Sequence, residues 1–374
     1  MSVLSFALAF CLGLVSGRAQ AEVSTDSAGG FVFAAFSDSR GSDRGINKSV
    51  LSRLVSHIKE ESGARVVVFP GDMIKGGGAA LRSLRSQFSA WREVMAPLYA
   101  EPRLEGLKVY PGLGNHEVWG RGGPEAFRQA FPDLPGNGPE AGAGLTYSFD
   151  KGGVHFVMLD TTGSGEGGRS GAGGLPLAWL RADLAAARAS GVRHIFVFGH
   201  DPAFPVSPGH IKDSLPRVGK RRWKGSDRAD LKARDAFWDL LREFEVAAYV
   251  CGHEHVNAVE SVRGVFQVTA GAGGAPLARL NPCSDPEGRV AEEDLEDFEK
   301  TKPYYELLSY PHGRGGNCQA GEDFWGGAFF GYAVFEVSDS GVGLAFWGVE
   351  PKPGSKTEVP EGASLRLMHS RRLR

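Results

Sequence analysis

The stretch Val246-Ala247-Ala248-Tyr249-Val250-Cys251-Gly252-His253-Glu254-His255 couples an apolar run to a glycine and then to two histidines separated by one residue. A short run of this kind suits a buried strand ending at Cys251, whose thiol is expected to be buried. Alternate residues of an extended segment face the same side, so His253 and His255 present two imidazoles together. Alone, such a pair is a weak sign of metal binding. Four further polar signals also stand directly after predicted strands. They are Ser37-Asp38-Ser39-Arg40-Gly41, Pro70-Gly71-Asp72, Gly114-Asn115-His116-Glu117 and Gly199-His200. Open α/β sheets bind their ligands at the carboxyl ends of strands, so five signals in that position carry weight that none has singly.

Working outward, short apolar runs alternate with segments of helical period. Strands are expected at Phe31–Ser37, Arg65–Pro70 and Leu107–Leu113, separated by helices over Asn47–Glu60 and Ala79–Ala100. A hairpin follows, Leu145–Phe149 with Val154–Asp160, around the turn Asp150-Lys151-Gly152-Gly153. Then come a helix over Leu177–Ala189, a strand over His194–Phe198 and a helix over Asp227–Phe244. After Cys251 the chain is mostly β: Val256–Ser261, Val265–Ala270, Tyr332–Val337 and Gly343–Val349. βαβ units followed by antiparallel strands predict an α/β protein with two packed sheets and helices outside.

The bulk properties agree with a globular chain. Of 374 residues, 42% are hydrophobic, ample for a core. With 42 basic against 44 acidic side chains there is no strong field, so no nucleic-acid partner is expected. The 53 glycines show no collagen-like period and read as loops. Met1–Ala21 carries an apolar run from Val3 to Val15 and an A-x-A pattern at Ala19 and Ala21. This predicts a signal peptide cleaved after Ala21, a secreted or periplasmic protein, and no membrane span in the mature chain. The main domain is expected over residues 30–350. Residues 280–325, rich in Asp, Glu, Pro and Gly, read as an insertion or lid, whose Cys283 and Cys318 either pair in an oxidising compartment or stay free thiols. Residues 351–374 read as a polar, basic-ended and disordered tail.

The five ordered signals strongly resemble the calcineurin-like metallophosphoesterase superfamily, which includes purple acid phosphatases, over about Phe31–Val256. The resemblance implies a four-layer αββα sandwich of two mixed β-sheets flanked by helices. It also implies a two-metal centre: Asp72 bridges, Asp38 and His255 hold the first ion, and Asn115, His200 and His253 hold the second. Carboxylate, amide oxygen and imidazole suit Mn, Fe or Zn. His116 resembles the leaving-group acid, with Glu117 as an orienting partner. The implied reaction is hydrolysis of a small phosphomonoester or phosphodiester by a metal-bridging hydroxide.

Two positions depart from the pattern. Most of the superfamily reads D-x-H at the first signal, and here the third residue is Arg40. Purple acid phosphatases use a tyrosine three residues after the bridging aspartate, and here that residue is Lys75. Arginine stays protonated and cannot ligate a cation. Its fork suits a phosphoryl group or a ligating carboxylate, so Arg40 is a candidate catalytic residue. A metal-binding or sensor protein with weak turnover stays open as the alternative. His210 and the cluster Lys220-Arg221-Arg222-Trp223-Lys224 either line the substrate mouth or form a solvated loop, and the loop is the plainer reading. Asp160 is expected to cap structure and His194 to be structural. Asp201 either orients a histidine or is simple loop polarity.

Overall fold

The computed structural model describes residues 30–77, 81–106, 108–118, 122–164, 175–207, 228–280 and 324–374. The proposed signal peptide, Cys11, Cys283, Cys318, His210 and the Lys220–Lys224 cluster lie outside the described residues. So does most of the 280–325 segment.

In chain order the elements are β1 (Phe31–Ala35), β2 (Arg40–Asp43), α1 (Lys48–Glu61), β3 (Val66–Phe69), α2 (Leu81–Tyr99), β4 (Val109–Pro111) and α3 (Gly123–Ala130). After these come β5 (Tyr147–Lys151), β6 (Val154–Met158), α4 (Leu177–Ala189), β7 (His194–Phe198), α5 (Arg228–Glu243) and β8 (Ala248–Cys251). The remainder is β9 (Asn257–Val262), β10 (Val265–Ala270), β11 (Trp325–Gly327), β12 (Phe330–Ser338), β13 (Gly341–Val349) and β14 (Arg366–Arg372). They form a six-stranded sheet, β14-β13-β12-β1-β3-β4, and a seven-stranded sheet, β11-β9-β10-β8-β7-β6-β5. Both sheets are mixed: β1, β3 and β4 run parallel, as do β6, β7, β8 and β10. The expected α/β class and two-sheet sandwich are therefore observed.

Strand residues sort by the two-residue period of the pleat. Phe33, Ala35, Val66, Val68, Phe196, Phe198, Ala248 and Val250 point into one core between the sheets. Ala34, Val67 and Phe69 face a second core beneath α1 and α2. Ile195, Val197 and Tyr249 face a third with α4 and α5. Four layers follow, because central strands apolar on both faces must be covered on both. Phe33 keys the sheets together: its ring centroid lies 4.6 Å from Phe335, 4.8 Å from Phe196 and 5.0 Å from Phe156.

Helix α1 buries Val50, Leu51, Leu54, Val55 and Ile58, the face its period predicts. Asn47 caps it by accepting from Val50 N at 3.4 Å. Its amide nitrogen donates to Gly274 O at 2.7 Å, which ties the helix start to the loop after β10.

The disordered reading of the tail is corrected. Residues 366–372 form the edge strand β14, antiparallel to β13. His369 stacks on Trp325 at 4.2 Å, and Leu365 and Leu373 are buried at its ends. An edge strand bristling with arginine gives no apolar alternation to read, and such charges protect a sheet edge from pairing further. Among the described residues, no helix is long and apolar enough to cross a membrane.

Candidate metal centre

The six predicted ligands and His116 stand on loops that leave strand ends, and the two sheets bring those ends to one place; Arg40 opens the short strand β2 just after Asp38. Asp38 follows β1, Asp72 follows β3, and Asn115 and His116 follow β4. From the other sheet, His200 follows β7, and His253 and His255 follow β8. Asp38, Asp72 and His200 each offer an atom within 4.8 Å of the others, and all three are buried. His200 Nε2 is 3.3 Å from Asp72 Oδ1 and 3.0 Å from Asn115 Oδ1. His253 Nδ1 is 3.0 Å from Asn115 Oδ1 and 3.2 Å from His200 Nε2. His255 Nε2 is 3.6 Å from Asp38 Oδ1.

The backbone at this point is held in an uncommon conformation. Asp38, Asp72, His253 and His255 have φ of 63°, 53°, 70° and 50°. Left-handed φ at a non-glycine residue costs of order 1–3 kcal/mol and persists where surrounding structure imposes it. Close approach is secured by glycine. A Cβ at Gly114 would strike Asp72 Oδ1, and one at Gly252 would strike Asp38 Oδ2 and Ser37 Oγ.

Fixed partners orient each ring. His200 Nδ1 donates to Pro70 O at 3.0 Å, His255 Nδ1 to Pro276 O at 2.9 Å and His116 Nδ1 to Lys75 O at 2.6 Å. Carbonyl oxygens only accept, so Nε2 of these three rings is the atom turned to the centre, whereas His253 presents Nδ1. Lys75 itself is exposed and contributes through its carbonyl. His116 is buried, with Nε2 3.8 Å from Asp72 Oδ2, and its backbone N–H donates to Asp72 Oδ1 at 2.9 Å.

Two buried glutamates brace the loops. Glu117 accepts from Asp72 N, Gly114 N and Ile74 N at 2.8, 2.7 and 3.1 Å. Glu254 accepts from Val206 N and Ser207 N, each at 2.8 Å or less by its nearer oxygen. Asp38 Oδ2 accepts from Ser37 Oγ at 2.5 Å and from His253 N at 2.8 Å. Asp201 Oδ1 is 4.0 Å from His253 Nδ1, and its other oxygen accepts from Thr161. Asp160 accepts from Thr162 N, the expected cap, and His194 Nε2 donates to Ser338 O, the expected structural role. Cys251 is a buried free thiol facing the Thr269 hydroxyl.

The charges fit a cation. Asp38 Oδ1 is buried without a hydrogen-bond partner. Burial pushes the Asp38 carboxyl up to about 7, with the Asp72 charge adding to the rise and His200 opposing it. Burial opposes charge on His200 too, yet Asp72 and Asp38 push its pKa up to about 10. Between His200 Nε2 and the oxygens of Asp72 and Asn115 there must be a proton or a metal ion, since otherwise electron pairs would face electron pairs. Oxygen and imidazole donors of this kind suit Mn, Fe or Zn.

Among the side chains of this cluster, Ser37 and Glu254 stood within the quoted signals without an expected role. Sequence reasoning also missed the carbonyls of Pro70, Lys75 and Pro276, because a backbone oxygen has no residue signature.

The calcineurin-like phosphoesterase profile matches residues 32–257, more than half of the chain and all five signals. An uncharacterized protein of Mycobacterium tuberculosis, in strains CDC 1551 and H37Rv, is 32% identical over 157 residues. That match takes in 39% of this chain and 26% of the relative, so the chain spans about a quarter of the length of the curated relatives it matches. Among solved structures, a purple acid phosphatase from yellow lupin seeds is similar with a TM-score of 0.54 and 12% identity, over 88% of this chain and 53% of that one. GAP50, the anchor in the inner membrane complex of Plasmodium, is similar at 0.51 and 16%, over 91% of this chain and 90% of its own. These likenesses concern the fold. With the profile spanning every strand end that contributes to the cluster, the chain belongs to the calcineurin-like phosphoesterase family.

Proposed function

We propose that this protein is a metal-dependent hydrolase of small phosphate esters, with Asp38, Asp72, Asn115, His200, His253 and His255 forming its cation centre. The observation that carries the reading is the convergence of Asp72, Asn115, His200 and His253, linked through His200 and Asn115 by contacts of 3.0–3.3 Å. A bound metal ion supplies Lewis acidity there, lowering the pKa of water and offsetting phosphoryl charge.

The chain's own residues do the rest. His116 sits at the rim with Nδ1 anchored on Lys75 O, so Nε2 is the atom that hands a proton to the departing oxygen. Burial lowers the pKa of His116, with Arg40 and His200 acting in the same direction and Asp72 opposing. The negative charge of a phosphate ester favours the imidazolium and so restores the acid. Arg40 brings a permanent positive charge to the same rim. Glu117 holds the loops that carry Asp72 and Asn115 in register. The reading extends to Mn, Fe or Zn as the metal and to secretion after loss of residues 1–21. Sequencing the amino terminus of the secreted protein tests the latter.

A second reading, a metal-binding or sensor protein with little turnover, is favoured by one observation: an arginine stands at the first signal where the family supplies a ligand. The fold likeness to an anchor protein is compatible with it. Turnover of aryl phosphate mono- and diesters, measured beside bound metal for wild type and Asp72→Asn, separates the two. Wild type is expected to hydrolyse at least one class and Asp72→Asn neither. Bound metal without turnover favours the sensor, and equal activity in both proteins contradicts the hydrolase.

A further inference from the structure

The two sides of the cluster are not alike. On the side of His200 and His253, donors of electron pairs meet one another: Asn115 Oδ1 lies 3.0 Å from both rings and Asp72 Oδ1 3.3 Å from His200 Nε2. On the side of His255, an electron-pair donor meets a cation that is already part of the chain. His255 donates from Nδ1 to Pro276 O, which leaves Nε2 to accept, and Arg40 Nη2 is 3.3 Å away from it. Arg40 Nε is 3.8 Å from Asp72 Oδ2, the second oxygen of the carboxylate expected to bridge. The guanidinium therefore touches, or nearly touches, two of the atoms that a first-site metal would need.

We propose that Arg40 takes the place of one of the two cations, so that this protein firmly holds a single metal ion per chain, among Asp38, Asp72, His200, Asn115 and His253. The inference rests on the proposed metal-dependent hydrolase and sharpens it by dividing the positive charge between one metal ion and one side chain. A guanidinium cannot lose its proton to make way for a divalent ion, and like charges at this separation repel strongly in a buried setting. Arg40 is also built to remain where it is. Strand β2, which begins with Arg40, is held by the Ser39 hydroxyl on Met73 O at 2.8 Å and by Asn47 N on Ser39 O at 2.8 Å. Arg40 is only partly exposed, and its Nε is buried without a hydrogen-bond partner. A phosphoryl oxygen of a substrate would supply that partner, so the same charge that excludes the second metal serves to bind the ester.

The test counts metal rather than turnover. Wild-type protein is stripped, reloaded with excess Mn²⁺, desalted, and assayed by elemental analysis and electron paramagnetic resonance. One ion per chain with the spectrum of isolated Mn²⁺ is expected. Arg40→His, which exchanges the guanidinium for a ligand, should rise to two ions per chain with an exchange-coupled spectrum. Arg40→Gln, which removes the charge without adding an imidazole, guards against misfolding of the first variant. It should show the coupled spectrum only at higher Mn²⁺. Two firmly held ions in wild type overturn the inference while leaving the hydrolase intact, as does a stoichiometry of one in both variants. One ion in wild type with no phosphate ester hydrolysed supports the inference and sinks the hydrolase.

Discussion

The six-stranded sheet brings oxygen to the centre, and the seven-stranded sheet brings nitrogen. Asp38, Asp72 and Asn115 leave β1, β3 and β4, whereas His200, His253 and His255 leave β7 and β8. The two kinds of donor come together only where these strand ends face each other, so the centre belongs to the meeting of the sheets. What sets their separation is the core between them, above all the Phe33 ring packed against Phe156, Phe196 and Phe335. Each side then repeats one device, a buried glutamate next to a site histidine, but unequally. Glu117 gathers three backbone donors from the β3 and β4 loops, including that of Asp72 itself. Glu254 gathers those of Val206 and Ser207, beyond His200. The oxygen side is thus braced at its ligand, and the nitrogen side one loop further out.

That asymmetry ranks the expected effects. The largest belongs to His116, which acts on the departing oxygen: His116→Ala should lower kcat by about 10²–10⁴-fold with bound metal unchanged. Unaltered kcat would remove His116 from the reaction. Next, Glu117→Gln should lower metal affinity by about 10–100-fold, as loss of a partner that orients ligands does. Glu254→Gln should cost less. Titration calorimetry with Mn²⁺ checks the order, and a reversal would mean that the nitrogen side is the more tightly braced.

The smallest effect concerns the outer part of the seven-stranded sheet. His155 on β6 lies 2.6 Å by Nδ1 from Asp150 and 2.9 Å by Nε2 from Asp183 of α4. Burial opposes its charge, but the bonds to Asp183 and Asp150 outweigh it and raise the pKa. A raised folded-state pKa gives stability that is complete below the unfolded value and lost as pH climbs through the folded one. The urea midpoint should therefore decline as pH climbs above the ordinary imidazole value of 6.5, and His155→Gln should flatten that slope. An unchanged slope would show that the cluster contributes nothing to the sheet.

Much of this was legible from the residues. Strands β7 and β10 have the bounds predicted for them because apolar runs buried on both faces admit one reading, and helix α4 has its predicted bounds because Leu180, Leu184 and Ala187 recur at helical spacing on one face. The ligand residues were legible because each closes such a run. Strand β2 was not, since Arg-Gly-Ser-Asp is polar throughout and pairs only as a short hairpin. Helix α3 was hidden in a glycine-rich stretch, where the left-handed Gly122 rather than a side chain starts it. Strand β14 was hidden by its charge. At the site, Arg40 stood out as a departure, but its neighbours did not. Asp72 and His255 come from different sheets, and their approach to Arg40 exists only once the sheets are packed.

Anomalous diffraction from crystals grown with Mn²⁺ tests the convergence of the two sheets most directly. The account predicts a peak bonded to Asp72 and His200 together, with contacts of about 2.0–2.3 Å to their oxygen and Nε2 atoms. A protein that binds Mn²⁺ elsewhere, or shows no peak where those two side chains meet, would contradict it.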